Sequence, residues 1–594
     1  MSDQKVKESP LMDKVVSLCK RRGFIYQSSE IYGGIGGFWD YGPLGAELKR
    51  NLREAWWLAM TREREDVLGL DATIIMHPAI WAASGHVATF ADMMRECSLT
   101  NKRVRADHVP PLEGTEYAFT GVESRATGWK LERPLCFLLP KSSRPESARR
   151  LARHWYVGDH AVELTGRIED LILLGESIRT HEGTVDFHPE TGGLLREARP
   201  FNLMLKTFVG PTATEDDITY LRPETAQAIF AQFKNVLDSS RTKVPFGICQ
   251  IGKAFRNEVT PKNFTFRSRE FEQMELEFFI KPDEAVEIIC GNVAQWSEGA
   301  DLSVPQDNWG WDLWHRYWVD QRTRFYHSIG LGDAMLDYHW QTGEELAHYA
   351  RACVDILFKF PFGIDELEGI AARGDFDLTQ HQRHSGKALE CFDEELKAAA
   401  AKLDAAAKEA MIQRRIAAEA AKESGGLNEA EVRTWFERLF KGFYVPHVIE
   451  PSAGLDRLAL AVLCAAFAEE QKADINGKVE TRTFLRLHPR VAPVKVGVFP
   501  LLKNKPELVA KAREVHGKLK RYFHCFYDET AAIGRRYARQ DEIGTPFGVT
   551  IDFETLGEQG PELQDTVTVR ERDSGKQHRV KLDGLVAWLT ERLA

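Results

Sequence analysis

The chain has 594 residues, of which 43% are hydrophobic and 28% are charged, and its formal net charge is −10. This length predicts two to four domains, and the composition is that of a soluble globular protein. The acidic balance excludes a protein that binds nucleic acid through its overall charge, so any contact with RNA must rest on local basic patches.

The N-terminal residues and the cysteines indicate where the protein works. The first residues are polar and lack the apolar core of a signal peptide, and the longest apolar run, 458–468, is too short to span a bilayer. The nine cysteines are scattered without a Cys-x-x-Cys pair, which favours a reducing compartment over a disulfide framework or a zinc knuckle. We therefore expect a cytoplasmic protein with no membrane partner.

Two helices are predicted near the N-terminus, with glycines between them. Residues 11–22 carry apolar side chains on one helical face, and a second such pattern runs from Pro43 to about Arg64. The glycine-rich stretch 33–37 marks a turn or a close backbone approach, but no Gly-Lys-Ser/Thr follows it, so it is not a P-loop. The second helix is either an ordinary amphipathic helix or part of a subunit boundary.

The segment 109–199 carries little pattern. Its basic run from Lys141 to Arg153 is either a solvated helix face, which is slightly favoured, or a surface for an RNA acceptor stem. Residues 200–207 then predict an apolar strand, and 224–233, after a proline, predict a helix with a carboxylate at its positive end.

Residues 245–279 predict two strands joined by a polar loop. Because side chains alternate between the faces of a strand, residues two apart lie together. The predicted shared face consists of Gln250, Gly252, Ala254, Arg256 and Glu258 on the first strand, and of Arg267, Arg269, Phe271, Gln273, Glu275 and Glu277 on the second. This face is either a solvated surface with cross-strand ion pairs or a site where an arginine binds phosphate beside a ring that stacks on a base.

Two further segments precede the last domain. Clustered acids at 365–377 are either surface charge or ligands for Mg²⁺, which takes carboxylate and phosphate oxygens. Residues 387–440 resemble an insertion, with an alanine-rich helix former from 396 to 421, a break at 424–426, and a helix at 429–440 that Asn428 caps. No chemistry is assigned to this insertion.

The segment 443–463 predicts a strand, a turn and a buried helix. Arg457 would lie in the first turn of that helix, where it either binds an anion or pairs with Asp456 or Glu450. From about His488 onward, strands and helices alternate, which predicts a small α/β domain. Its run 534–542 mixes arginines with a tyrosine, a combination that suits unstacked RNA bases.

Several of these segments resemble one enzyme family. Phe255-Arg256-Asn257-Glu258 followed by Phe266-Arg267-Ser268-Arg269-Glu270-Phe271 is similar to motif 2 of the class II aminoacyl-tRNA synthetases. The helix after Pro43 resembles motif 1, and Gly454-Leu455-Asp456-Arg457 resembles motif 3. Three segments are close to the homodimeric glycyl type, namely Arg222-Pro223-Glu224-Thr225, Phe271-Glu272-Gln273-Met274-Glu275 and Glu450-Pro451-Ser452. The C-terminal domain resembles the anticodon-binding domain of the glycyl, histidyl, prolyl and threonyl group.

This resemblance implies an α+β fold. The catalytic core would be an antiparallel β-sheet flanked by helices, joined to a C-terminal α/β anticodon-binding domain. The implied domains are 1–108, 200–386 and 441–487 for the core, 109–199 for an insertion at the acceptor stem, 387–440 for a helical insertion and 488–594 for anticodon binding.

The resemblance also implies a reaction and its partners. Glycine and ATP would form glycyl-adenylate and pyrophosphate, and the glycyl group would then pass to tRNA(Gly). Arg256 and Arg457 would be the catalytic residues, on the α- and γ-phosphates, and Glu366 would hold Mg²⁺. A homodimer through motif 1 is expected.

The implied contacts form three sets. ATP would contact Arg256, Asn257, Glu258, Phe266, Arg267, Ser268, Arg269, Glu270, Phe271, Glu366, Leu367, Gly454, Leu455, Asp456 and Arg457. Glycine would contact Arg105, Glu224, Phe271, Glu272, Gln273, Met274, Glu275, Glu450, Pro451, Ser452, Ala453 and Gly454. The anticodon would contact Arg535, Arg536, Tyr537 and Arg539.

Two alternatives stay open at this point. A threonyl or prolyl synthetase would share the three motifs and the C-terminal domain, but it is not expected to combine the three glycyl-type segments. A non-catalytic relative that binds RNA or assists a polymerase would be expected to lack the phosphate arginines, and both Arg256 and Arg457 are present.

Overall fold

The structure, a computed structural model, describes residues 10–160, 168–347, 350–421, 426–473 and 479–593. The chain divides into two compact units. The first unit comprises 1–84, 205–256 and 261–594, and the second comprises 85–204 and 257–260. Within the described ranges, each helix is too short or too polar to cross a bilayer.

A mostly antiparallel sheet forms the centre of the first unit. Within the described residues, its strands lie in the order Leu336–Trp340, Ala352–Phe360, Gly363–Gly374, His447–Gly454, Glu270–Ile280, Phe246–Phe255 and Val67–Gly69. Every neighbouring pair is antiparallel except the last, in which Val67–Gly69 runs parallel to Phe246–Phe255. This arrangement confirms the predicted α+β class with an antiparallel core sheet.

Helices of the first unit cover this sheet and bury its apolar side chains. Outside the C-terminal domain they span Pro10–Arg22, Pro43–Thr61, Pro78–Ala83, Ala226–Ser240, Asp283–Cys290, Trp311–Ser328, Phe376–Ser385, Glu394–Ala400, Ala405–Ala420, Glu429–Phe440 and Leu455–Ala466. Leu48, Leu52 and Trp56, spaced by one helical turn on Pro43–Thr61, are completely buried. The buried helix Leu455–Ala466 packs into the same core, so the motif 1 and motif 3 helices support the central strands together.

Short strand pairs accompany the main sheet of the first unit. They join Ile25–Gln27 to Trp39–Tyr41, Leu205–Phe208 to Ile218–Leu221, Cys391–Phe392 to Phe443–Tyr444, and Phe467–Ala473 to Val479–Leu485.

The C-terminal domain has its own sheet and core. The strands lie in the order Cys525–Tyr527, Val496–Pro500, Phe547–Ile551, Thr566–Glu571 and Gln577–Lys581, and the helices span Pro506–Leu519, Ile533–Glu542 and Leu585–Leu593. The first three strands are parallel and the last two are antiparallel to their neighbours. The predicted α/β domain is thereby confirmed.

Among its described residues, the second unit contains three small antiparallel sheets and one long helix, Pro145–His160. The sheets are ordered Leu171–Leu174, Gly121–Ser124 and Lys130–Leu131; Ser177–Thr184, Leu112–Phe119 and Leu135–Leu139; and Arg199–Asn202, Ala91–Glu96 and Arg103–Arg105. The helix packs against the strand Leu171–Leu174, and Ala148, Ala152 and Tyr156 on it are completely buried.

Three predicted elements differ from the structure. The predicted strand 200–207 is two strands, Arg199–Asn202 and Leu205–Phe208. The alanine-rich helix former 396–421 is also interrupted, because Asp404 accepts a hydrogen bond from the amide of Ala407 at 2.8 Å and so begins a new helix.

The helix predicted to begin at residue 224 begins instead at Ala226, so Glu224 precedes it. Two other predictions concern the insertion near residue 424. Asn428 caps the helix Glu429–Phe440, as predicted, by accepting from the amide of Glu431 at 3.0 Å. Residues 424 and 425 of the predicted break lie outside the described residues.

Candidate active site

The register of the two central strands brings the predicted face together. Residues directly opposite each other in an antiparallel pair point to the same side of the sheet. Gln250 lies opposite Glu275, Gly252 opposite Gln273, and Ala254 opposite Phe271. The predicted shared face is therefore confirmed for the part that lies within the strands.

Arg256 follows the first strand directly and lies against a ring. Its backbone amide donates to the carbonyl of Arg269 at 2.9 Å, and its Nε donates to the carbonyl of Pro223 at 3.2 Å. The guanidinium carbon lies 5.3 Å from the centre of the Phe271 ring. A cation and an aromatic face thus stand together at the end of the strand pair.

Arg457 occupies the first turn of the helix after strand His447–Gly454. Its Nε donates to the carbonyl of Phe266 at 3.2 Å, and its Nη1 lies 3.2 Å from a carboxylate oxygen of Glu366. The guanidinium also lies over the Phe266 ring, 4.6 Å from its centre. Contacts on three sides hold this cation in place.

The two arginines flank the same stretch of the central strand. Ala254, two residues before Arg256, pairs with Phe271 from one side, and Gly454, three residues before Arg457, pairs with Gln273 from the other. Both cations therefore belong to the same end of the sheet.

Asp456 and Glu272 link the motif 3 helix to the motif 1 helix. The Asp456 carboxylate accepts from Tyr41 at 2.7 Å, from Lys49 at 2.9 Å and from the amide of Glu272 at 2.7 Å. Burial raises the pKa of Asp456, but the charge and hydrogen bond of Lys49 outweigh it, so the pKa is lowered. Lys49 also pairs with Glu272 at 3.2 Å, and it is a residue that the motifs did not reveal.

Three carboxylates and one hydroxyl come together at this end of the sheet, those of Glu224, Glu275, Glu450 and Ser452, and we call this group of side chains the acidic pocket. Glu275 is 2% exposed, and its Oε1 accepts from Ser452 at 2.7 Å while its Oε2 accepts from the amide and hydroxyl of Thr225. Burial, and then the charge of Glu224, raise the pKa of Glu275. The pocket therefore favours a ligand that brings positive charge.

Glu450 reaches the same pocket from strand His447–Gly454. Nη1 of Arg373 donates to its carboxylate at 2.6 Å, while the rest of that guanidinium binds both oxygens of Asp377 at 2.9 and 3.1 Å. Burial raises the pKa of Glu450 to about 8 even though Arg373 opposes this, because the carboxylates of Glu275 and Glu224 add to it. Arg373 lies outside every motif and was therefore not predicted.

The first strand approaches another arginine closely at Gly252. A Cβ at this position would lie 2.0 Å from Nη2 of Arg222, whose Nε and Nη1 donate to the carbonyls of Lys253 and Ala72 at 2.7 and 3.0 Å. Only glycine leaves room for the guanidinium here. The same Cβ position is 3.3 Å from Nε2 of Gln250.

Two completely buried polar side chains share this face. Neither amide atom of Gln250 and neither carboxylate oxygen of Glu277 has a hydrogen-bond partner among the described residues, and both side chains are 0% exposed. Burial, and then the charge of Glu450, raise the pKa of Glu277 well above its usual range. An unpaired amide is costly to bury, so the arrangement favours a ligand that pairs with Gln250.

Glu366 has a carboxylate neighbour on the adjacent strand. A Cβ at Gly369 would lie 3.6 Å from Oδ1 of Asp355 and 3.7 Å from Oε1 of Glu366, so the two carboxylates approach the same point. Burial mainly, with Glu366 contributing, raises the pKa of Asp355. No three Asp, Glu, His or Cys side chains among the described residues cluster closely enough to hold a metal. Two carboxylates still suit Mg²⁺, which retains waters and takes phosphate oxygens.

Other predicted site residues line the opposite face or the loop. Met274, Leu367, Ala453 and Leu455 are at most 1% exposed and belong to the hydrophobic core. Pro451 is also buried, in the strand that carries Glu450 and Ser452. These positions back the site with apolar packing.

The loop between the central strands is held by the glycine-rich stretch. Arg269 donates twice to this stretch, from its amide to the carbonyl of Gly37 at 2.8 Å and from Nη1 to that of Gly36 at 2.9 Å. Ser268 donates to the carbonyl of Thr265 at 3.3 Å. Two predicted site residues near the end of the loop, Arg267 and Glu270, also make hydrogen bonds.

Glu270 accepts from Lys253 at 2.7 Å at the start of the second strand. Arg267 follows the short 3₁₀ turn Phe264–Phe266, and its backbone amide donates to the carbonyl of Lys262. Residues 267–270, at the end of the loop, are therefore held by contacts within the first unit.

Three predicted site residues belong to the second unit. Arg105 pairs with Asp92 at 3.1 Å and donates to Asp107 at 3.0 Å, and these contacts raise its pKa. Glu258 is 9% exposed, and the amide of Asn257 donates to the carbonyl of Leu203 at 2.8 Å.

The predicted anticodon residues separate into two groups. Arg536 is 1% exposed and donates to backbone oxygens inside its domain, and Tyr537 bonds the hydroxyl of Thr550 at 2.6 Å. These two side chains point inward, which favours a structural role. Arg535 is exposed, and Arg539 is partly exposed and bound to Asp528 at 3.0 Å.

Two family models match the chain. The model described as "tRNA synthetase class II core domain (G, H, P, S and T)" matches residues 211–298, which contain the two central strands. The model described as "Anticodon binding domain" matches residues 495–592.

Curated proteins are similar over nearly the whole length. Glycine–tRNA ligase from Rhodopirellula baltica is 42% identical over 600 residues, which cover 98% of this chain and 99% of the relative. Glycine–tRNA ligase from Thermus thermophilus is 41% identical over 590 residues, with 98% and 99% covered. Glycine–tRNA ligase from Streptomyces coelicolor is 39% identical over 588 residues, with 98% of each chain covered.

Proposed function

The chain belongs to the glycine–tRNA ligases of the class II aminoacyl-tRNA synthetases, and from this premise we propose that it attaches glycine to tRNA(Gly) in two steps. In the first step, a carboxylate oxygen of glycine attacks the α-phosphorus of ATP, and pyrophosphate leaves as glycyl-adenylate forms. In the second step, a hydroxyl at the tRNA 3′ end attacks the glycyl carbonyl and AMP leaves. The acidic pocket beside Arg256 and Arg457 is the observation that carries this proposal.

The acidic pocket holds the ammonium group of glycine. Glu224, Glu275 and Glu450 supply negative charge that burial makes unfavourable until a cation arrives, and the raised pKa values of Glu275 and Glu450 support this. Ser452 fixes the Glu275 carboxylate through its 2.7 Å hydrogen bond. Since glycine has no side chain, specificity comes from the absence of space for a Cβ in this pocket.

The other end of glycine binds where donors are available. The Gln250 amide lacks a partner among the described residues, and Nη2 of Arg222 lies over Gly252 beside it. Both groups donate hydrogen bonds, which suits a carboxylate that must be aimed at phosphorus. Gln250 therefore orients glycine in this proposal.

The arginines bind the triphosphate. Arg256 stabilises the charge that grows on the α-phosphate during attack, and Arg457 holds the γ-phosphate. Phe271 stacks on adenine, and the guanidinium carbon of Arg256 lies 5.3 Å from the centre of its ring. Because the nucleophile is already a carboxylate, no general base is needed.

Mg²⁺ would be held by Glu366 together with Asp355. Their convergence on one point beside Gly369 supports this assignment. When bound, the metal supplies positive charge that offsets the phosphate oxygens. Arg457, whose Nη1 lies 3.2 Å from an oxygen of Glu366, positions that carboxylate.

The partners and the setting complete the proposal. The C-terminal domain binds the anticodon arm, the segment 109–199 contacts the acceptor stem, and 387–440 is an insertion without chemistry. Two copies associate through motif 1, a contact supported by Ile31 and Tyr32, which are 89% and 86% exposed beside it. A cytoplasmic location is supported by the nine free thiols.

Amino-acid-dependent exchange of pyrophosphate with ATP tests the function. We expect glycine to support exchange about 10- to 200-fold better than alanine or serine, since one methyl group is worth about 1–3 kcal/mol in a simple pocket. Equal rates with the three amino acids would contradict selection by exclusion. No exchange with glycine would contradict adenylate formation altogether.

A further inference from the structure

A basic cleft of about 550 Å³ lies apart from the acidic pocket. Three distant segments of the first unit form it: the end of helix Pro10–Arg22, the strand Val479–Leu485 and the helix Ile533–Glu542. We define the basic cleft by its lining residues, which are Arg21, Arg22, Thr481, Arg482, Thr483, Arg535, Ala538, Arg539 and Glu542.

Guanidinium groups outnumber carboxylates in this cleft. Glu542 is its one acidic lining residue among the described residues, and it is shared by Arg21, at 2.7 Å, and Arg22. Arg535 is exposed and makes no side-chain hydrogen bond or ion pair with a described residue. The cleft therefore keeps positive charge after its internal pairs are formed.

Two arginines of the cleft, Arg22 and Arg482, also have N–H groups without a hydrogen-bond partner among the described residues. Nε of Arg22 and Nε of Arg482 are buried without a hydrogen-bond acceptor among the described residues. The Arg482 guanidinium is held by Asp541 at 2.9 Å, so its orientation is fixed. These two guanidinium groups, which come from separate segments, therefore keep hydrogen-bonding capacity that the described residues do not use, and an unmet buried donor is costly.

The chemistry of the lining identifies the class of ligand. Arginine forks match the oxygens of phosphate groups, and the hydroxyls of Thr481 and Thr483 add further donors. None of the described lining residues is aromatic, so a base would find no ring on which to stack. The cleft suits a phosphodiester backbone better than a free nucleotide.

The placement of the cleft agrees with a polymeric ligand. It joins residues of the N-terminal helix to the C-terminal domain, and the chain as a whole carries a net charge of −10. Against that background, a concentrated basic surface is the local feature on which RNA binding depends. Contacts to phosphates position an RNA without reading its sequence.

We propose that the basic cleft binds consecutive phosphates of the tRNA backbone and so aligns the anticodon arm with the core. This inference rests on the proposed function, because it takes tRNA as the ligand. It adds Arg21, Arg22 and Arg482 to the RNA-binding surface, and it assigns Arg535 and Arg539 to backbone phosphates instead of anticodon bases.

The test uses the double variant Arg21→Ala/Arg535→Ala of the full chain. Binding of tRNA(Gly) is measured over a range of salt concentrations, together with the KM for tRNA in aminoacylation. We expect the Kd to rise about tenfold, and the slope of log K against log salt to fall in magnitude by about one to two, since each lost phosphate contact contributes about 0.7–0.9. Glycine-dependent pyrophosphate exchange, which needs no tRNA, should stay at the parent rate.

A matched control is Arg521→Ala, which removes another exposed arginine of the C-terminal domain from outside the cleft. It should leave the Kd and the salt slope unchanged. The double variant Arg21→Ala/Arg535→Lys keeps the charge at residue 535. Its slope of log K against log salt should therefore lie close to that of the single variant Arg21→Ala. A double variant with the parent's Kd and slope would overturn the proposal.

Two further outcomes separate the possible sources of failure. If the double variant raises the KM for ATP as much as the Kd for tRNA, the cleft is a nucleotide site and the proposal is wrong. If the parent protein supports no glycine-dependent exchange, the proposed function is wrong. If the parent charges tRNA normally and the double variant binds tRNA as tightly as the parent does, only the role of the cleft is refuted.

Discussion

The acidic pocket and the basic cleft are opposite solutions to the binding of charge. Glu275 and Glu450 are 2% and 8% exposed, and their hydrogen-bond partners belong to neighbouring strands and helices. The side chains of Arg21 and Arg22 in the cleft are 54% and 33% exposed. The pocket therefore works in a medium of low dielectric constant, and the cleft works in contact with salt water.

This difference teaches how each region should respond to change. In the pocket, one carboxylate alters the pKa of the next, so a substitution affects several groups together. In the cleft, each arginine interacts with the ligand through screened charge, so the contributions are smaller and more nearly independent. Variants in the two regions can break or sharpen this contrast.

The largest effect is expected at the arginine that faces the reacting phosphate. Arg256→Ala should lower the rate of glycine-dependent pyrophosphate exchange about 1,000-fold, because a group that stabilises charge in the transition state contributes about 3–4 kcal/mol. The affinity for tRNA should change little, which a direct binding measurement checks.

Arg256→Lys is the matched variant for this prediction. It keeps the charge but loses the fork, so it should recover part of the rate. Exchange at the parent rate in Arg256→Ala would show that the assigned role is wrong.

A slightly smaller effect is expected from a single methyl group in the strand. Gly252→Ala places a Cβ 2.0 Å from Nη2 of Arg222, a guanidinium that three backbone carbonyls hold in place. Moving this guanidinium should lower the exchange rate about 100-fold, since small displacements of positioning groups have that effect. It should also lower the free energy of unfolding by about 2–4 kcal/mol.

Gly332→Ala provides the comparison, because a Cβ at Gly332 meets no atom within 4 Å. Thermal unfolding and exchange are measured for both variants. Equal behaviour of the two would contradict the steric argument for Gly252.

The strand face was predictable from the sequence because it depends on a local rule. A period of two along residues 250–254 and 271–275 places the glycine beside the carboxylate, whatever the rest of the chain does. The resemblance to class II enzymes extended this prediction to Arg457 and Glu450, which the sheet joins to the same strand. The family and the fold class followed from these motifs.

The supporting residues were not predictable in this way. Arg373 binds Glu450 across 77 residues of sequence, and Lys49 binds Asp456 across 407. No local pattern marks either residue, since each acts through a partner that only the tertiary fold brings near. Burial is hidden from the sequence in the same way, because the surroundings of Arg536 predict RNA binding while its guanidinium donates to backbone carbonyls inside the domain.

An intermediate effect is expected from the pH dependence of the pocket. Because burial raises the pKa of Glu450 to about 8, this group is protonated below that pH and ionises as the pH rises. An ionised carboxylate binds the glycine ammonium better, so the KM for glycine should fall about tenfold as the pH rises from about 6.5 to 8.5.

Glu450→Gln should flatten this dependence and hold the KM at its high value. The free energy of unfolding depends on pH in the opposite direction, because it should fall as the pH rises. A folded pKa of about 8, above the ordinary 4.5, means that the contribution to stability is present below pH 4.5 and is lost as the pH rises through 8. Urea unfolding across this range should show less loss in Glu450→Gln than in the parent. A parallel profile in the two proteins would contradict the assigned pKa.

The smallest effects are expected in the cleft, and they should add. Arg21→Ala and Arg535→Ala should each raise the Kd for tRNA about threefold, and the double variant should match their product within measurement error, because screened contacts to separate phosphates couple weakly. These differences in Kd should become smaller at high salt.

Glu275→Gln and Ser452→Ala in the acidic pocket provide the contrast. One 2.7 Å hydrogen bond joins the two side chains, so the effects of the two substitutions on the KM for glycine should not add. If the effects of the two cleft substitutions on the Kd for tRNA do not add, or if those of the two pocket substitutions on the KM for glycine do add, then burial does not determine how strongly neighbouring groups are coupled.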